Sequence, residues 1–239
     1  KISYSQRRRY FLGTELHGVM NYPFRSALLH YLLGGGAEDF QEAMETIREN
    51  YPPAAFYSAL NFLGTHDTPR ILTVLGGRPL PEGRDAQSTF HLSSAERKTA
   101  SLRLRIASAV LFTFPGSPMI YYGDEAGMEG AADPFNRGTY PWGHEDQGLL
   151  GWFTLLGQLR QSRPSLRRGG ISWLKANGPL LAYARSTAEE TTITVINAGD
   201  ECQTLFLSDR HYQNLISGET VSGEEIIVDP CTALLLGQG

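Results

Sequence analysis

The sequence predicts an α/β region followed by an all-β region, with the change near residue 169. Before that point, short continuous apolar runs alternate with long amphipathic segments, a pattern typical of a parallel sheet with crossover helices. After it come only short runs rich in Thr, Val, Ile and Leu, separated by turn residues. A length of 239 residues suits a domain with a smaller partner. We therefore expect two domains, residues 1–168 and residues 169–239.

Three short apolar runs in the first region predict strands buried on both faces: residues 18–22, 60–64 and 118–123. Pro23 stops the first run, and polar residues follow the second and third directly. Strands that alternate with helices imply right-handed crossovers and a parallel sheet, whose chemistry lies at the carboxyl ends of the strands. Periodicity alone does not choose between an open sheet and a closed barrel.

Three longer segments of the first region predict helices. Apolar residues recur at helical spacing between Glu38 and Asn50, and Pro52 prevents continuation. Residues 93–96 have the S-x-x-E form of a capping box, which predicts a helix that runs to about Phe114. A last helix ends at Pro164. One face of this helix carries Leu149, Trp152, Phe153, Leu156 and Leu159.

The second region predicts six short strands. Asn177-Gly178 is a hairpin signal between the first two of them. A small antiparallel sandwich of about 70 residues fits this spacing. The candidate strands are residues 172–174, 180–184, 191–196, 203–207, 226–228 and 232–236.

Charge and composition exclude several functional classes. Lys plus Arg is 21 against 25 for Asp plus Glu, and the net charge of -4 predicts no attraction to nucleic acid. No apolar run approaches the roughly 20 residues of a membrane span, and the basic segment Arg7–Arg9 precedes no signal-peptide core. The two cysteines, Cys202 and Cys231, are too few for a disulfide scaffold, and the six histidines lack metal-ligand spacing. We expect no metal, no cofactor, no nucleic acid and no membrane as a partner.

His66 and Asp67 lie where the second predicted strand ends. An imidazole and a carboxylate side by side at this edge of a parallel sheet can bind vicinal hydroxyls, orient a nucleophile, or hold a metal with help from elsewhere. The structural alternative is that Asp67 caps the following turn and that His66 is a half-buried core histidine. Spacing alone leaves both interpretations open.

Two further polar groups follow the third predicted strand. Adjacent side chains point to different sides, so we expect Asp124 and Glu125 to anchor loop N–H groups or an arginine rather than to share one substrate atom. Asp133 and Arg137 lie in a Gly- and Ala-rich loop, of a length expected for function where it overhangs a strand end. A purely structural ion pair is the alternative for Asp133 and Arg137.

Aromatic residues are frequent near these polar groups. Aromatic faces stack on the C–H faces of sugars, and they equally fill cores. Because Tyr121 and Tyr122 lie within an apolar run, we expect at least one of them in the core. The full set is Tyr22, Phe24, Tyr121, Tyr122, Phe135, Tyr140 and Trp142.

Four ordered motifs resemble the α-amylase superfamily, in particular its neopullulanase, cyclomaltodextrinase and maltogenic amylase branch. They are VMNYPF (19–24), FLGTHDTPR (62–70), FPGSPMIYYGDE (114–125) and Asp133-Pro134-x-x-Arg137. The resemblance implies that residues 1–168 are the C-terminal part of a (β/α)8 catalytic barrel, strands six to eight with their helices. It implies that residues 169–239 are a C-terminal β-sandwich.

The resemblance also implies a retaining glycosidase. Such enzymes use an Asp nucleophile after strand four, a Glu acid/base after strand five and a further Asp after strand seven. Asp67 matches the last of these and would stabilise the transition state by holding sugar hydroxyls, with His66 bonded to a neighbouring hydroxyl. Asp133 and Arg137 match positions that bind a sugar next to the cleavage site, and Tyr22 would line the pocket.

The nucleophile and acid/base motifs have no match in the sequence. We therefore expect a fragment that is inactive alone, from a parent enzyme that hydrolyses α-1,4 glucosidic bonds in starch, pullulan, cyclodextrin or malto-oligosaccharides. The alternatives are a non-catalytic glucan-binding or structural module, or a parent that is an α-glucosidase or glucan transferase. A truncated barrel exposes the edge of strand six, which predicts self-association. The family branch favours a cytoplasmic location.

Overall fold

A computed structural model describes residues 9–11, 15–208 and 211–238, with helices dominating up to Arg168 and strands from Gly170 onward. Arg7 and Arg8 of the basic segment lie outside the described residues. The α-helices are Tyr22–Leu32 (α1), Ala37–Asn50 (α2), Pro53–Ser58 (α3), Ile71–Leu75 (α4), Arg84–Ser88 (α5), Ser94–Thr113 (α6), Gln147–Ser162 (α7) and Pro164–Arg168 (α8), and a short 3-10 helix covers Arg9–Phe11.

The strands form one parallel pair and two antiparallel sheets. The larger antiparallel sheet has the order β3-β4-β5-β10-β7-β8, and β6 pairs with β9. Their bounds are Leu60–Phe62 (β1), Ser117–Met119 (β2), Gly170–Asn177 (β3), Leu180–Ser186 (β4), Thr191–Asn197 (β5), Gln203–Phe206 (β6), His211–Asn214 (β7), Thr220–Ser222 (β8), Glu225–Val228 (β9) and Thr232–Gln238 (β10).

The three helices predicted from spacing and caps are confirmed as α2, α6 and α7. Phe40 and Ile47 of α2 are fully buried, as the apolar stripe requires. At the start of α6, the Ser93 hydroxyl accepts a hydrogen bond from the Glu96 N–H (3.3 Å), and the Glu96 carboxylate accepts one from the Ser93 N–H (2.7 Å). Pro164 begins α8, because proline is well suited to the first position of a helix.

The strand predicted for residues 18–22 is wrong in extent. Only Met20 forms a β-bridge, a parallel one to Leu60, and α1 begins directly after Asn21. The Asn21 side chain accepts a hydrogen bond from the Phe24 N–H (3.1 Å), and this cap favours a helix start over a longer strand. Met20 is 37% exposed, so this run is not buried on both faces.

The predicted parallel arrangement is confirmed for β1 and β2, which pair over their whole lengths. With the bridge at Met20, the carboxyl ends of three parallel segments lie side by side. The run 118–123 was expected to be strand throughout, but β2 ends at Met119. The chain turns after Met119. The Asp124 N–H donates to the Tyr121 carbonyl (3.1 Å), and Gly123, between these two residues, has a φ of +85°.

The second region contains all six predicted strands and two more, β7 and β8. The predicted hairpin at Asn177-Gly178 joins β3 to β4, and Gly178 has a φ of +53°. Sequence patterning misses β7 and β8 because they are short and largely polar. In β7 only Tyr212 is buried, and β8 has no fully buried residue.

Alternate residues of β4 face two different apolar cores. Leu181 and Tyr183 belong to a core shared with the helices of the first region, and the Tyr183 ring lies 5.7 Å from that of Phe114. Leu180 and Ala182 belong to a second core shared with β6 and β9. The six-stranded sheet is therefore packed on both faces, against the helices on one side and against the small sheet on the other.

Candidate active site

The His66–Asp67 pair lies in the turn that follows β1. The Thr65 N–H donates to the Thr68 hydroxyl (3.1 Å), and the Asp67 N–H donates to the Thr65 hydroxyl (3.2 Å), so threonine hydroxyls hold this turn. The His66 Nε2 atom lies 3.2 Å from Asp67 Oδ1, and the two side chains are 63% and 59% exposed. An ordered backbone thus presents an imidazole and a carboxylate to solvent at a strand's carboxyl end.

The loop that carries Asp133 and Arg137 docks on this turn. The Asn136 amide, fully buried, donates to the carbonyls of His66 and Thr68, both at 2.8 Å. Arg137 Nε donates to the His66 carbonyl (3.3 Å) and lies 2.9 Å from Asp133 Oδ1. The Asp133 and Arg137 side chains are 57% and 45% exposed. The structure therefore brings all four of these predicted polar residues to one surface.

Tyr22 lies on another element at the same strand ends. It is the first residue of α1, is 43% exposed, and packs its ring edge-on against Phe62, with 4.8 Å between the centroids. The neighbouring Asn21 amide donates to the Asn61 side chain (2.9 Å), which ties the start of α1 to β1. Tyr22 is thus anchored beside the end of β1, through Phe62 rather than through the His66–Asp67 pair.

A buried ion pair joins the turn after β1 to the turn after β2. Arg70 is fully buried, its Nη1 donates to the Tyr122 carbonyl, and the same nitrogen lies 3.5 Å from Asp124 Oδ1. Its guanidinium carbon lies 4.3 Å and 4.5 Å from the ring centres of Tyr121 and Tyr122. Arg70 Nε and Nη2 have no hydrogen-bond partner among the described residues.

Two expectations for this turn have different outcomes. Asp124 and Glu125 act as anchors, as expected, because Asp124 pairs with Arg70 and the Glu125 carboxylate accepts from the Gly123 N–H (2.9 Å). The expectation that Tyr121 or Tyr122 is in the core is wrong. Both follow the last residue of β2, where their rings stack on the guanidinium and stay partly exposed.

Each of the three parallel segments supplies a charged group to this end of the structure. Arg25 follows the first and donates from Nε to the Leu63 carbonyl (2.6 Å), while Arg70 and Asp124 follow β1 and β2. Burial raises the pKa of Asp124 to about 7, against the opposite effect of Arg70 and Arg25. At Gly64 a Cβ atom would lie 2.5 Å from Asp124 Oδ2, so the carboxylate fits only against a glycine.

The described residues include no group of three or more His, Cys, Asp or Glu side chains that could hold a metal ion. Both cysteines, Cys202 and Cys231, are free thiols. Within the same ranges, no helix has the length and apolar character needed to cross a membrane.

Residues 2–149, which contain these turns, buried charges and parallel strand ends, match the family described as "Alpha amylase, catalytic domain". The chain belongs to the α-amylase family. The resemblance predicted from the four motifs is therefore confirmed, and proteins of the cyclomaltodextrinase, neopullulanase and maltogenic amylase branch are among its relatives.

Curated relatives match most of this α-amylase family chain. An amylopullulanase from Thermoanaerobacter thermohydrosulfuricus is 35% identical over 91% of the chain and 16% of its own length. A cyclomaltodextrinase from Geobacillus thermopakistaniensis is 32% identical over 89% of the chain and 34% of its own length, and neopullulanase 2 from Thermoactinomyces vulgaris is 29% identical over 96% and 38%. The chain thus spans between 16% and 38% of the length of these relatives.

Solved structures show that the fold is shared. An Anoxybacillus α-amylase has a TM-score of 0.80 at 24% identity, covering 96% of this chain and 48% of its own. An α-amylase from Geobacillus thermoleovorans, crystallised with acarbose, has a TM-score of 0.80 at 24% identity, covering 98% and 51%. The fold is therefore that of the α-amylase family, which is related to the TIM barrel.

Sequence reasoning misses three residues of this site. Arg70 is visible only as the third residue after Asp67, and nothing in the local pattern separates a buried arginine from an exposed one. Arg25 lies in α1, which the sequence does not predict. Asn136 lies between Asp133 and Arg137, and its position in the middle of that motif is the one signal that could have singled it out.

Proposed function

We propose that this chain is part of an enzyme that hydrolyses α-1,4 glucosidic bonds in starch, pullulan, cyclodextrin or malto-oligosaccharides. Residues 1–168 are strands six to eight of its (β/α)8 catalytic barrel with their helices, and residues 169–239 are its C-terminal β-sandwich. The family membership and the names of the amylopullulanase, cyclomaltodextrinase and neopullulanase relatives support this assignment. The parallel pairing of β1 with β2 and the parallel bridge from Met20 to Leu60 are consistent with three neighbouring strands of such a barrel, and they support this assignment.

The observation that carries the proposal is the exposed Asp67 carboxylate in its ordered turn. A retaining glycosidase passes through an oxocarbenium-like transition state, in which positive charge develops on the sugar ring. A carboxylate held beside the ring stabilises that charge and accepts hydrogen bonds from sugar hydroxyls. The threonine hydroxyls and the Asn136 amide fix the backbone of the turn by hydrogen bonds, so that little ordering is needed when substrate binds.

The other exposed groups complete a hydroxyl-binding surface. His66 lies within hydrogen-bond distance of Asp67 and presents a ring nitrogen that can donate to a neighbouring hydroxyl. Asp133 and Arg137 offer an acceptor and a fork of donors, a combination that suits the paired hydroxyls of an adjacent sugar. Tyr22 supplies an aromatic wall beside the end of β1.

The two remaining carboxylates of the reaction have no counterpart among these 239 residues. Double displacement needs a nucleophile and an acid/base about 5–5.5 Å apart, and no acidic residue of the chain matches either family motif. We therefore propose that the chain supplies substrate-binding and transition-state groups only and has no turnover of its own. Met20, at the outer edge of the parallel segments, is 37% exposed, and we expect the chain to self-associate through that edge.

The test combines a turnover assay with a binding assay on the purified chain. With amylose, pullulan and β-cyclodextrin we expect no release of sugar above a buffer blank, whereas maltoheptaose binds in calorimetry. Asp67→Asn removes the negative charge and lowers that affinity about tenfold, a change of about 1.4 kcal/mol. Turnover well above the blank would overturn the claim that the chain lacks the reacting carboxylates.

The chain itself offers a matched control. His30 and Asp39 form a second exposed His–Asp pair, 3.1 Å apart and 62% and 55% exposed, between α1 and the first turn of α2. Asp39→Asn makes the same chemical change away from the strand ends, and we expect it to leave maltoheptaose affinity unchanged. Equal affinity for the wild type and Asp67→Asn, or equal losses in the two variants, would contradict the assignment of Asp67.

A further inference from the structure

Two aromatic rings outside the Asp67 surface lie side by side, that of Trp142 exposed and that of Tyr140 partly buried. Trp142 is 80% exposed, more than any other large apolar side chain in the described part of the chain. Its ring centre lies 4.5 Å from that of Tyr140, with 51° between the ring planes. An indole left in water gives up the free energy of burial, and an exposed indole packed beside a second aromatic ring is a candidate binding site.

The backbone around these rings is ordered. The Trp142 N–H donates to the Tyr140 carbonyl (3.0 Å), and the His144 N–H donates to the Pro141 carbonyl (2.8 Å). The Gly138 carbonyl accepts from the Tyr122 hydroxyl at 2.8 Å. At the far end of this segment, the Asp146 N–H bonds the Ala126 carbonyl at 3.0 Å. Both ends of segment 138–146 are therefore hydrogen-bonded to the turn after β2, so Trp142 is exposed on an ordered part of the backbone.

The segment is continuous with the Asp67 surface. It leaves that surface at Arg137, whose Nε donates to the His66 carbonyl, and it reaches Trp142 five residues later. Five residues of extended chain span at most about 17 Å, the length of a few sugar units.

We infer that Tyr140 and Trp142 form a second binding platform for an α-glucan chain, separate from the Asp67 surface and beside it. The inference rests on the proposed function, because it names where more of the same substrate binds. Flat aromatic faces suit the C–H faces of sugar rings, and the segment that carries them is continuous with the Asp67 surface, where the same substrate is proposed to bind. The platform extends the contact with a long substrate beyond the sugars at Asp67.

Tryptophan fluorescence can test the platform in the 239-residue chain. Trp152 is 9% exposed, and the Trp173 indole donates to Glu45 within the structure, so an added sugar changes mainly the emission of Trp142. We expect maltoheptaose to shift that emission in a saturable way. Trp142→Ala abolishes the shift and weakens calorimetric affinity about tenfold, and Trp142→Phe, which keeps an aromatic face, restores most of the affinity.

Two further variants keep this test separate from that of the proposed function. Phe206→Ala removes another exposed aromatic side chain, 72% exposed on β6, and is expected to change nothing. Asp67→Asn is expected to retain the Trp142 emission shift. Wild-type affinity in Trp142→Ala would overturn the platform and leave the proposed function standing. Loss of the shift in Asp67→Asn, or equal losses in Phe206→Ala and Trp142→Ala, would also overturn it. Failure of wild-type chain to bind maltoheptaose at all would overturn both.

Discussion

Two fully buried arginines lie in different regions of this chain and differ in how their N–H groups are used. Arg185, in β4, donates from Nε and Nη2 to the Gly169 carbonyl (3.2 and 2.8 Å) and from Nη1 to the Thr113 carbonyl (2.6 Å). Arg70, at the candidate site, has one carbonyl and one carboxylate as partners, and its Nε and Nη2 have no hydrogen-bond partner within the described ranges. Both side chains have no exposed surface.

This difference in hydrogen bonding distinguishes Arg185, whose charge stabilises the fold, from Arg70, whose charge lies at the candidate site. Arg185 ties the last residue of α6 and Gly169, the residue before β3, to the six-stranded sheet, and its donors are satisfied as those of buried groups normally are. Burial, and to a lesser degree Arg160, lower its pKa to about 10, so Arg185 remains charged at neutral pH. Unsatisfied buried donors such as those of Arg70 are unfavourable for stability and rare in native structures, and a role at a functional site is one explanation for them.

The largest effect is expected at Arg185. Arg185→Leu leaves the Gly169 and Thr113 carbonyls without their charged donor, and we expect the free energy of unfolding to fall by about 3 kcal/mol or more. Urea denaturation measures this loss. Arg168→Ala, which removes an arginine that is 69% exposed and paired with Glu189, is the matched control with a change below about 0.5 kcal/mol. A loss under about 1 kcal/mol in Arg185→Leu would remove the distinction between the two arginines.

A smaller effect is expected at Arg70, because two of its nitrogens have no partner to lose. Arg70→Leu should lower the free energy of unfolding by about 2 kcal/mol, because the Asp124 carboxyl stays buried without its partner, while its raised pKa lets it take up a proton and limits the loss. Combining it with Asp124→Leu removes that orphan charge, and we expect the double variant to be more stable than Arg70→Leu in urea denaturation. Equal stability of the single and double variants would show that the pair is not coupled.

The pH dependence of stability tests Asp124 directly. Its native pKa of about 7 lies above the value of about 3.9 expected in the unfolded chain. Between these values the native state binds more protons than the unfolded state, so this group's contribution to stability is full below about pH 4 and is lost as pH rises to 7. Asp124→Asn cannot titrate. We expect the stability of the wild type relative to this variant to fall from pH 4.5 to pH 7.5. A rise over that range would contradict the raised pKa.

The smallest effect on stability is expected at the exposed His66–Asp67 pair. Asp67 is 59% exposed, and the turn is held by Thr65 and Thr68 rather than by its carboxylate. Asp67→Ala should therefore change the free energy of unfolding by less than about 0.5 kcal/mol while it lowers maltoheptaose affinity. Thermal unfolding and calorimetry on the same preparation check the two halves of this prediction. A large loss of stability in Asp67→Ala would show that the Asp67 carboxylate stabilises the fold, and it would contradict this prediction.

Part of this protein could be predicted from the sequence because the signals act over a few residues. The capping box of α6 needs only Ser93 and Glu96, and the β3–β4 hairpin needs only Asn177-Gly178. The four motifs predicted the α-amylase family, which the family match confirms. The roles of Asp67, His66, Asp133, Arg137 and Tyr22 stay predictions until the binding assays are done.

Other features depended on contacts between distant parts of the chain. Arg70 meets Asp124 54 positions later, and Asn136 reaches back 70 positions to His66. No local pattern encodes such a contact, because the free energy of burying a charge depends on the partner that the fold brings to it. Sequence alone therefore determined three of the helices, most strands of the second region, the family and the candidate residues, whereas the tertiary structure decided which charges are buried beneath the strand ends and which are exposed to a ligand.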